Sequence, residues 1–88
     1  MNGQNMQLRF TSSAERDLAE LTPSDASDVL KAIEVYADRG VGDVKKLKGY
    51  KPPTWRLRVG SFRVLYRRAE GSTIIVTAIS NRRDVYRR

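Results

Sequence analysis

The sequence predicts an α+β fold, with two N-terminal antiparallel helices packed on a small twisted, mainly antiparallel four-stranded sheet in the order β-α-α-β-β-β. Three observations lead there. Residues 55–66, WRLRVGSFRVLY, alternate apolar and cationic side chains on both sides of Gly60-Ser61, the pattern of a hairpin whose two-residue turn opens with glycine. Ahead of it, residues 12–39 repeat apolar side chains at three-and-four spacing behind capping residues, the mark of amphipathic helices. After it, residues 73–80 form a near-continuous apolar run, as a strand flanked on both sides would. A chain of 88 residues has material for one domain, 1–88, with a single modest two-layer core.

Taken in order, residues 6–11 (MQLRFT) alternate and predict a first strand. Ser12-Ser13-Ala14-Glu15 has capping-box spacing, so a helix is expected to start with Ser12 as its cap and Glu15 reaching back. Ala14, Leu18 and Leu21 form its apolar stripe. Thr22-Pro23 restarts the pattern with a cap and a proline at the first helical position. The second helix then runs to Arg39 on Ala26, Val29, Leu30, Ile33, Tyr36 and Ala37, with Gly40 as its stop. Residues 41–54 are expected to be a connecting loop rich in lysine (Lys45, Lys46, Lys48, Lys51), anchored by Leu47. In the hairpin, Trp55, Leu57, Val59, Phe62, Val64 and Tyr66 share one face. Arg56, Arg58 and Arg63 share the other, with Arg67 further along. A two-residue turn at Glu70-Gly71 would send Ile75, Thr77 and Ile79 to the core, and a slip of one residue would send Ile74, Val76 and Ala78 instead.

Charge is divided unevenly. Residues 1–44 hold four cations and eight anions, whereas residues 45–88 hold thirteen cations and two anions. Such asymmetry points to a polyanionic partner, most often nucleic acid. The hairpin register sets Arg58 directly opposite Arg63, an arrangement unfavourable by roughly 0.2–1 kcal/mol, which implies an anion over that face. The C-terminal residues 81–88 (NRRDVYRR) add four arginines and Tyr86. Tyrosine beside arginine suits base stacking and phosphate contact on single-stranded nucleic acid.

Several classes are disfavoured. Cysteine and histidine are both absent, which removes disulfides, thiolate chemistry, the usual ligands of zinc and the usual neutral-pH acid and base. No cofactor is expected. The start MNGQNMQLRF lacks the pattern of a secretory leader, and no stretch approaches a membrane span, so a cytoplasmic protein without a membrane partner is expected. Arginine stays protonated and cannot act as a general base, but it can stabilise the charge that builds on a phosphodiester during cleavage. In RNA the attacking 2′-hydroxyl belongs to the substrate. Proton transfer would then fall to Tyr86, a loop lysine or water, weak equipment that predicts an enzyme dependent on substrate alignment supplied from outside.

The blocks KKLKGY, WRLRVGSFRVLY and ISNRRDVYRR, following two amphipathic helices, resemble the RelE/ParE superfamily of toxins from bacterial type II toxin-antitoxin systems. The resemblance spans nearly the whole chain. It implies the fold derived above, a cognate antitoxin that holds the toxin inactive, and one of two activities. RelE-branch members enter the ribosome and cut mRNA; ParE-branch members poison DNA gyrase. Mapped onto this sequence, the RelE branch implies catalytic roles for Arg56, Arg58, Arg63, Arg82, Arg83 and Tyr86. Arg63 and a tail arginine would hold the scissile phosphate, and Tyr86 would stack on a base. Apart from the resemblance, the position of Lys45, Lys46, Lys48 and Lys51 just ahead of the arginine strand, with Arg67 further along, suits them either to line the same anion groove or to solubilise the loop. The chain departs from the branch in carrying arginine at both 56 and 58, where lysine is frequent, and Asn81 where many relatives have histidine. The full cationic set with Tyr86 favours the nuclease over the gyrase poison, and a plain RNA-binding module is the third expectation.

Overall fold

A computed structural model describes residues 5–81. The elements are β1 (Gln7–Phe10), α1 (Ser12–Ala19), α2 (Pro23–Arg39), β2 (Asp43–Lys46), β3 (Trp55–Val59), β4 (Phe62–Ala69) and β5 (Thr73–Asn81). The strands form one five-stranded sheet in the order β1-β5-β4-β3-β2. β1 runs parallel to β5, and the other three pairs are antiparallel. The α+β class and the helix-on-sheet arrangement are as the sequence predicts, with one strand more.

The extra strand is β2, inside the stretch expected to be a loop. Its sequence, DVKK, carries only one apolar side chain, Val44, which is half-buried against the core. What makes it a strand is its neighbour: β3 has an edge of unpaired amides and carbonyls, and β2 pairs with it from Asp43 opposite Arg58 to Lys46 opposite Trp55. Leu47 is only half-buried and closes the end of this pair, its amide donating to the Thr54 carbonyl at 2.9 Å.

The β3–β4 hairpin has the register read from the sequence, Val59 opposite Phe62 out to Trp55 opposite Tyr66. Gly60 sits at φ 58°, a conformation open to glycine without a Cβ clash. α2 also matches its predicted span. The Thr22 hydroxyl accepts from the Asp25 amide, Pro23 opens the helix, and Gly40 ends it in the left-handed region at φ 73°. α1 starts one residue earlier than its capping-box spacing suggests. The cap is Thr11, whose hydroxyl accepts from the Ala14 amide at 3.1 Å, while Ser12 is already helical. Thr11 Oγ1 also donates to the Thr77 carbonyl at 3.4 Å, so the sheet selects this threonine over the serine.

β5 follows neither register offered by the sequence. The turn holds three residues rather than two, because Ser72 joins Gly71 at positive φ and Ala69 pairs with Thr73. That sends Ile74 and Val76 into the core. A bulge then lies between the pairs Tyr66–Val76 and Leu65–Ala78, leaving Thr77 as the extra residue. Its hydroxyl donates to the Leu65 carbonyl at 3.3 Å. Beyond it the parity reverses, and Ile79 is buried beside Val64.

Both helices cover one face of the sheet. Ala14 from α1 and Val29, Ile33, Tyr36 and Ala37 from α2 join Leu57, Phe62, Val64, Tyr66, Ile74, Val76 and Ile79 in one buried cluster. Burying each of these larger side chains stabilises the fold by roughly 1.5–3 kcal/mol before ordering costs. The opposite, outer face is left for other uses. Among the described residues no helix is long and apolar enough to cross a membrane.

Candidate functional site

Alternation along β3 and β4 sends every second side chain to the outer face, and the register lines them up in rows. One row reads Asp43, Arg58, Arg63, Ser80 from β2 to β5; the next reads Lys45, Arg56, Leu65, Ala78. Arg67 lies one step further along β4, opposite Ile75. The structure therefore brings Arg56, Arg58, Arg63, Arg67 and Lys45 onto one surface, with directly opposed side chains about 5 Å apart at Cβ.

The three central arginines differ in environment. Arg58 and Arg63 are exposed, line a shallow hollow with Gly60, Ser61 and Phe62, and have no ion pair among the described residues. Arg56 is not the solvent-facing cation that alternation alone implies. Only 9% of it is exposed. Its Nη2 lies 3.6 Å from Asp43 Oδ1, a carboxylate that is itself largely exposed. Its Nη1 is buried without any hydrogen-bond partner. Most buried donors find an acceptor, because leaving one unmade costs about 1–3 kcal/mol, more for a charged group. Asp43 satisfies part of Arg56, and Nη1 stays enclosed beneath the cationic surface.

The lysines do not act as a set. Lys45 faces the outer surface beside Arg56, whereas Lys46 falls on the helix side, opposite Trp55 in register, with Nζ 5.7 Å from the indole centroid. Lys48 and Lys51 are exposed on the loop between β2 and β3. Arg82, Arg83 and Tyr86 lie outside the described residues.

Sequence reasoning passed over a second constellation, on the helix side of the same strands. The Tyr66 hydroxyl donates to Tyr36 Oη at 2.7 Å, and Arg68 Nη2 donates to the same oxygen at 2.9 Å. The Arg68 guanidinium also sits 4.7 Å from the Trp55 ring centroid, and Trp55 stacks on Tyr66 at 6.0 Å and 17°. Burial first, and the hydrogen bond to Tyr36 next, push the Tyr66 phenol well above the ordinary tyrosine range. Burial alone would lower the Arg68 pKa, but its contacts with Tyr66 and Tyr36 outweigh that and hold it above its usual value. The available signal was parity: Arg68 shares a strand face with Tyr66, not with Arg67.

Two helices on one face of a mixed sheet whose other face gathers arginines from adjacent strands define a small cationic α+β domain. A family model described as the ParE toxin of the type II toxin-antitoxin system parDE matches residues 8–86, and the chain belongs to that family. Toxin RelG of Mycobacterium tuberculosis is 34% identical over an alignment 90 residues long that takes in 92% of this chain and 95% of the relative. Among solved structures, the toxin-antitoxin complex RelBE2 of Mycobacterium tuberculosis aligns with a TM-score of 0.74 at 29% identity, over 89% of this chain and 99% of that one. The archaeal RelE-RelB complex of Pyrococcus horikoshii aligns at 0.72 and 20% identity, over 89% and 96%, a likeness of fold alone.

Proposed function

We propose that this toxin is a metal-independent endoribonuclease that cuts mRNA on the ribosome and so inhibits translation, with a cognate antitoxin as its restraint. The observation that carries the reading is the directly opposed pair Arg58 and Arg63, both exposed on the outer face, with Arg56 in the adjoining row. A phosphate held over this face would relieve the repulsion between these two cations.

In this reading the substrate supplies its own nucleophile. The 2′-hydroxyl oxygen attacks phosphorus and the bond to the 5′-oxygen breaks, leaving a 2′,3′-cyclic phosphate and a 5′-hydroxyl. The proton lost from the 2′-hydroxyl passes to water or a lysine, and the departing oxygen takes one up. Arg56, Arg58 and Arg63 hold the phosphoryl oxygens and favour the more highly charged transition state over the ground state. Arg82 or Arg83 adds to that clamp and Tyr86 stacks on a base. Lys45 and Arg67 extend the cationic track on the strands, and Lys48 and Lys51 extend it on the loop between β2 and β3. A chain without histidine has poor means of moving protons, which supports dependence on the ribosome for alignment. The antitoxin, on this reading, lays an acidic or amphipathic segment over the basic face or the helices.

The test is induction of the chain alone, with Arg63→Ala beside it, followed by mapping of breaks in translated mRNA. Cuts made by the parent and lost in a folded Arg63→Ala support the reading. Full growth arrest by that variant refutes the role of Arg63. A second reading, a ParE-like poison of DNA gyrase, is favoured by the description of the matching family. Its outcome is gyrase-dependent DNA breaks with intact mRNA.

A further inference from the structure

We propose that Lys46 and Arg68, held against Trp55, form a second phosphate-binding station on the helix side of the sheet, which grips the single-stranded RNA flanking the cut as it passes round the β2 edge. This inference takes RNA as the ligand and so rests on the function proposed above, but it concerns residues outside that site.

The geometry has three parts. First, Lys46 Nζ and the Arg68 guanidinium both lie close to the indole centroid, at 5.7 and 4.7 Å, so the two charges stand within about one Debye length of each other, roughly 10 Å. Neither has a carboxylate partner among the described residues. Each cation gains from the face of the ring it approaches, Lys46 from the β2 side and Arg68 from the β4 strand, and both keep charge available to an anion that passes along the ring's edge. Second, Arg68 is preorganised. Its Nη2 is fixed on Tyr36 Oη, which is fixed in turn by Tyr66, and the remaining guanidinium donors of this exposed residue stay available. Third, β2 is the edge strand. Its consecutive residues Lys45 and Lys46 point to opposite faces, one opposite Arg56 and one opposite Trp55. Cationic surface therefore continues from the outer row around the edge to the station. From Val44 to Ala69 the sequence contains no acidic residue, and Asp43, at the head of β2, is a carboxylate beside this path, already paired with Arg56.

Trp55 is the chain's single tryptophan, which makes its emission a reporter of this station alone. The experiment titrates the full chain with a 2′-O-methyl oligouridylate of about twelve nucleotides, which cannot be cleaved, over a range of salt. The variants are Lys46→Gln, Arg68→Gln, the double variant and Arg68→Lys, each checked by thermal melting. Oligonucleotide binding is expected to change Trp55 emission. The slope of log K against log salt is expected to weaken by about 0.7 for each cation removed, the value for single strands, and Arg68→Lys is expected to keep the parent slope. Unchanged Trp55 emission at saturation, followed independently by anisotropy of a labelled oligonucleotide, overturns the station. So does a parent-like slope in the folded double variant, or a response to poly-glutamate and none to RNA, which would mark an acidic protein segment as the occupant. Cleavage of ribosome-bound mRNA is read separately. A Trp55 response without cleavage sinks the nuclease and supports the station, whereas cleavage by a double variant of unchanged slope sinks the station alone.

Discussion

Replacing Asp43 by asparagine separates the two roles of the buried arginine. In the parent, Asp43 Oδ1 and Arg56 Nη2 are 3.6 Å apart; at an effective dielectric near 20, the Coulomb attraction at such a distance is about 4–5 kcal/mol. Much of that is offset by the desolvation of Arg56 and by water around the exposed carboxylate, and the net contribution lies nearer the 1–2 kcal/mol expected between buried and surface pairs. Asp43→Asn keeps the shape and removes the charge, so the variant is expected to lose about 1–2 kcal/mol, or roughly 5–15 °C in Tm for a domain of this size. The same carboxylate opposes an incoming phosphate. In sulfate or phosphate buffer the variant is therefore expected to recover more stability than the parent, because an anion that binds only the folded state stabilises it in proportion to its affinity. The assay is a pair of melting series at equal ionic strength, one in chloride and one in sulfate. An equal rise in Tm for both proteins would refute the idea that the arginine rows beside Asp43 hold an anion site. No loss in chloride would refute the ion pair.

Three further outcomes test other parts of the molecule. The Tyr66 phenol is neutral in the folded state well past its ordinary pKa of 10.0, so the unfolded chain alone ionises there and stability is expected to fall as pH rises above about 10; Tyr66→Phe is expected to flatten that fall in urea titrations. Ile33→Ala, at a residue 1% exposed in the centre of α2, is expected to cost about 2–5 kcal/mol by denaturant unfolding, and a loss below 1 kcal/mol would mean that the helix does not pack as described. Thr11→Ala is expected to destabilise by about 0.5–2 kcal/mol and Ser12→Ala by almost nothing, since only Thr11 caps the helix; a reversal in melting temperatures would restore the capping box read from the sequence.

What could be read without coordinates were features set by neighbouring residues. The hairpin register follows from Gly60-Ser61 and strict alternation, and α2 follows from Thr22, Pro23 and Gly40 with an apolar face between them. What could not be read depends on remote partners. β2 exists because β3 has an edge to fill, and no pattern within DVKK announces that. Thr11 rather than Ser12 caps α1 because Thr77 accepts its hydroxyl, a partner 66 residues away. The candidate site divides along the same line. That Arg56, Arg58 and Arg63 share a face was legible from period two, but the burial of Arg56, its pairing with Asp43 and the departure of Lys46 to the other face were not.

The bulge at Thr77 shows how closely the core and the cationic face are tied. Had the register near the β4–β5 turn continued unbroken, Arg63 would stand opposite Ile79, and Val64 opposite Ala78. An isoleucine would then occupy the outer row beside the arginines, and a small alanine would replace it in the core. The extra residue reverses both outcomes: Ile79 is buried against Val64 and Ser80 stands beside Arg63. The displaced backbone does not go unsatisfied, because past Phe10 the short β1 no longer pairs with β5, and Asp17 from α1 accepts the Ile79 amide at 2.9 Å. The Asp17 carboxylate thus completes the sheet edge just past the bulge. The bulge is therefore as much a part of the arginine surface as the arginines are, since it decides that a hydroxyl, and not a hydrocarbon, lies next to the cation proposed to hold phosphate.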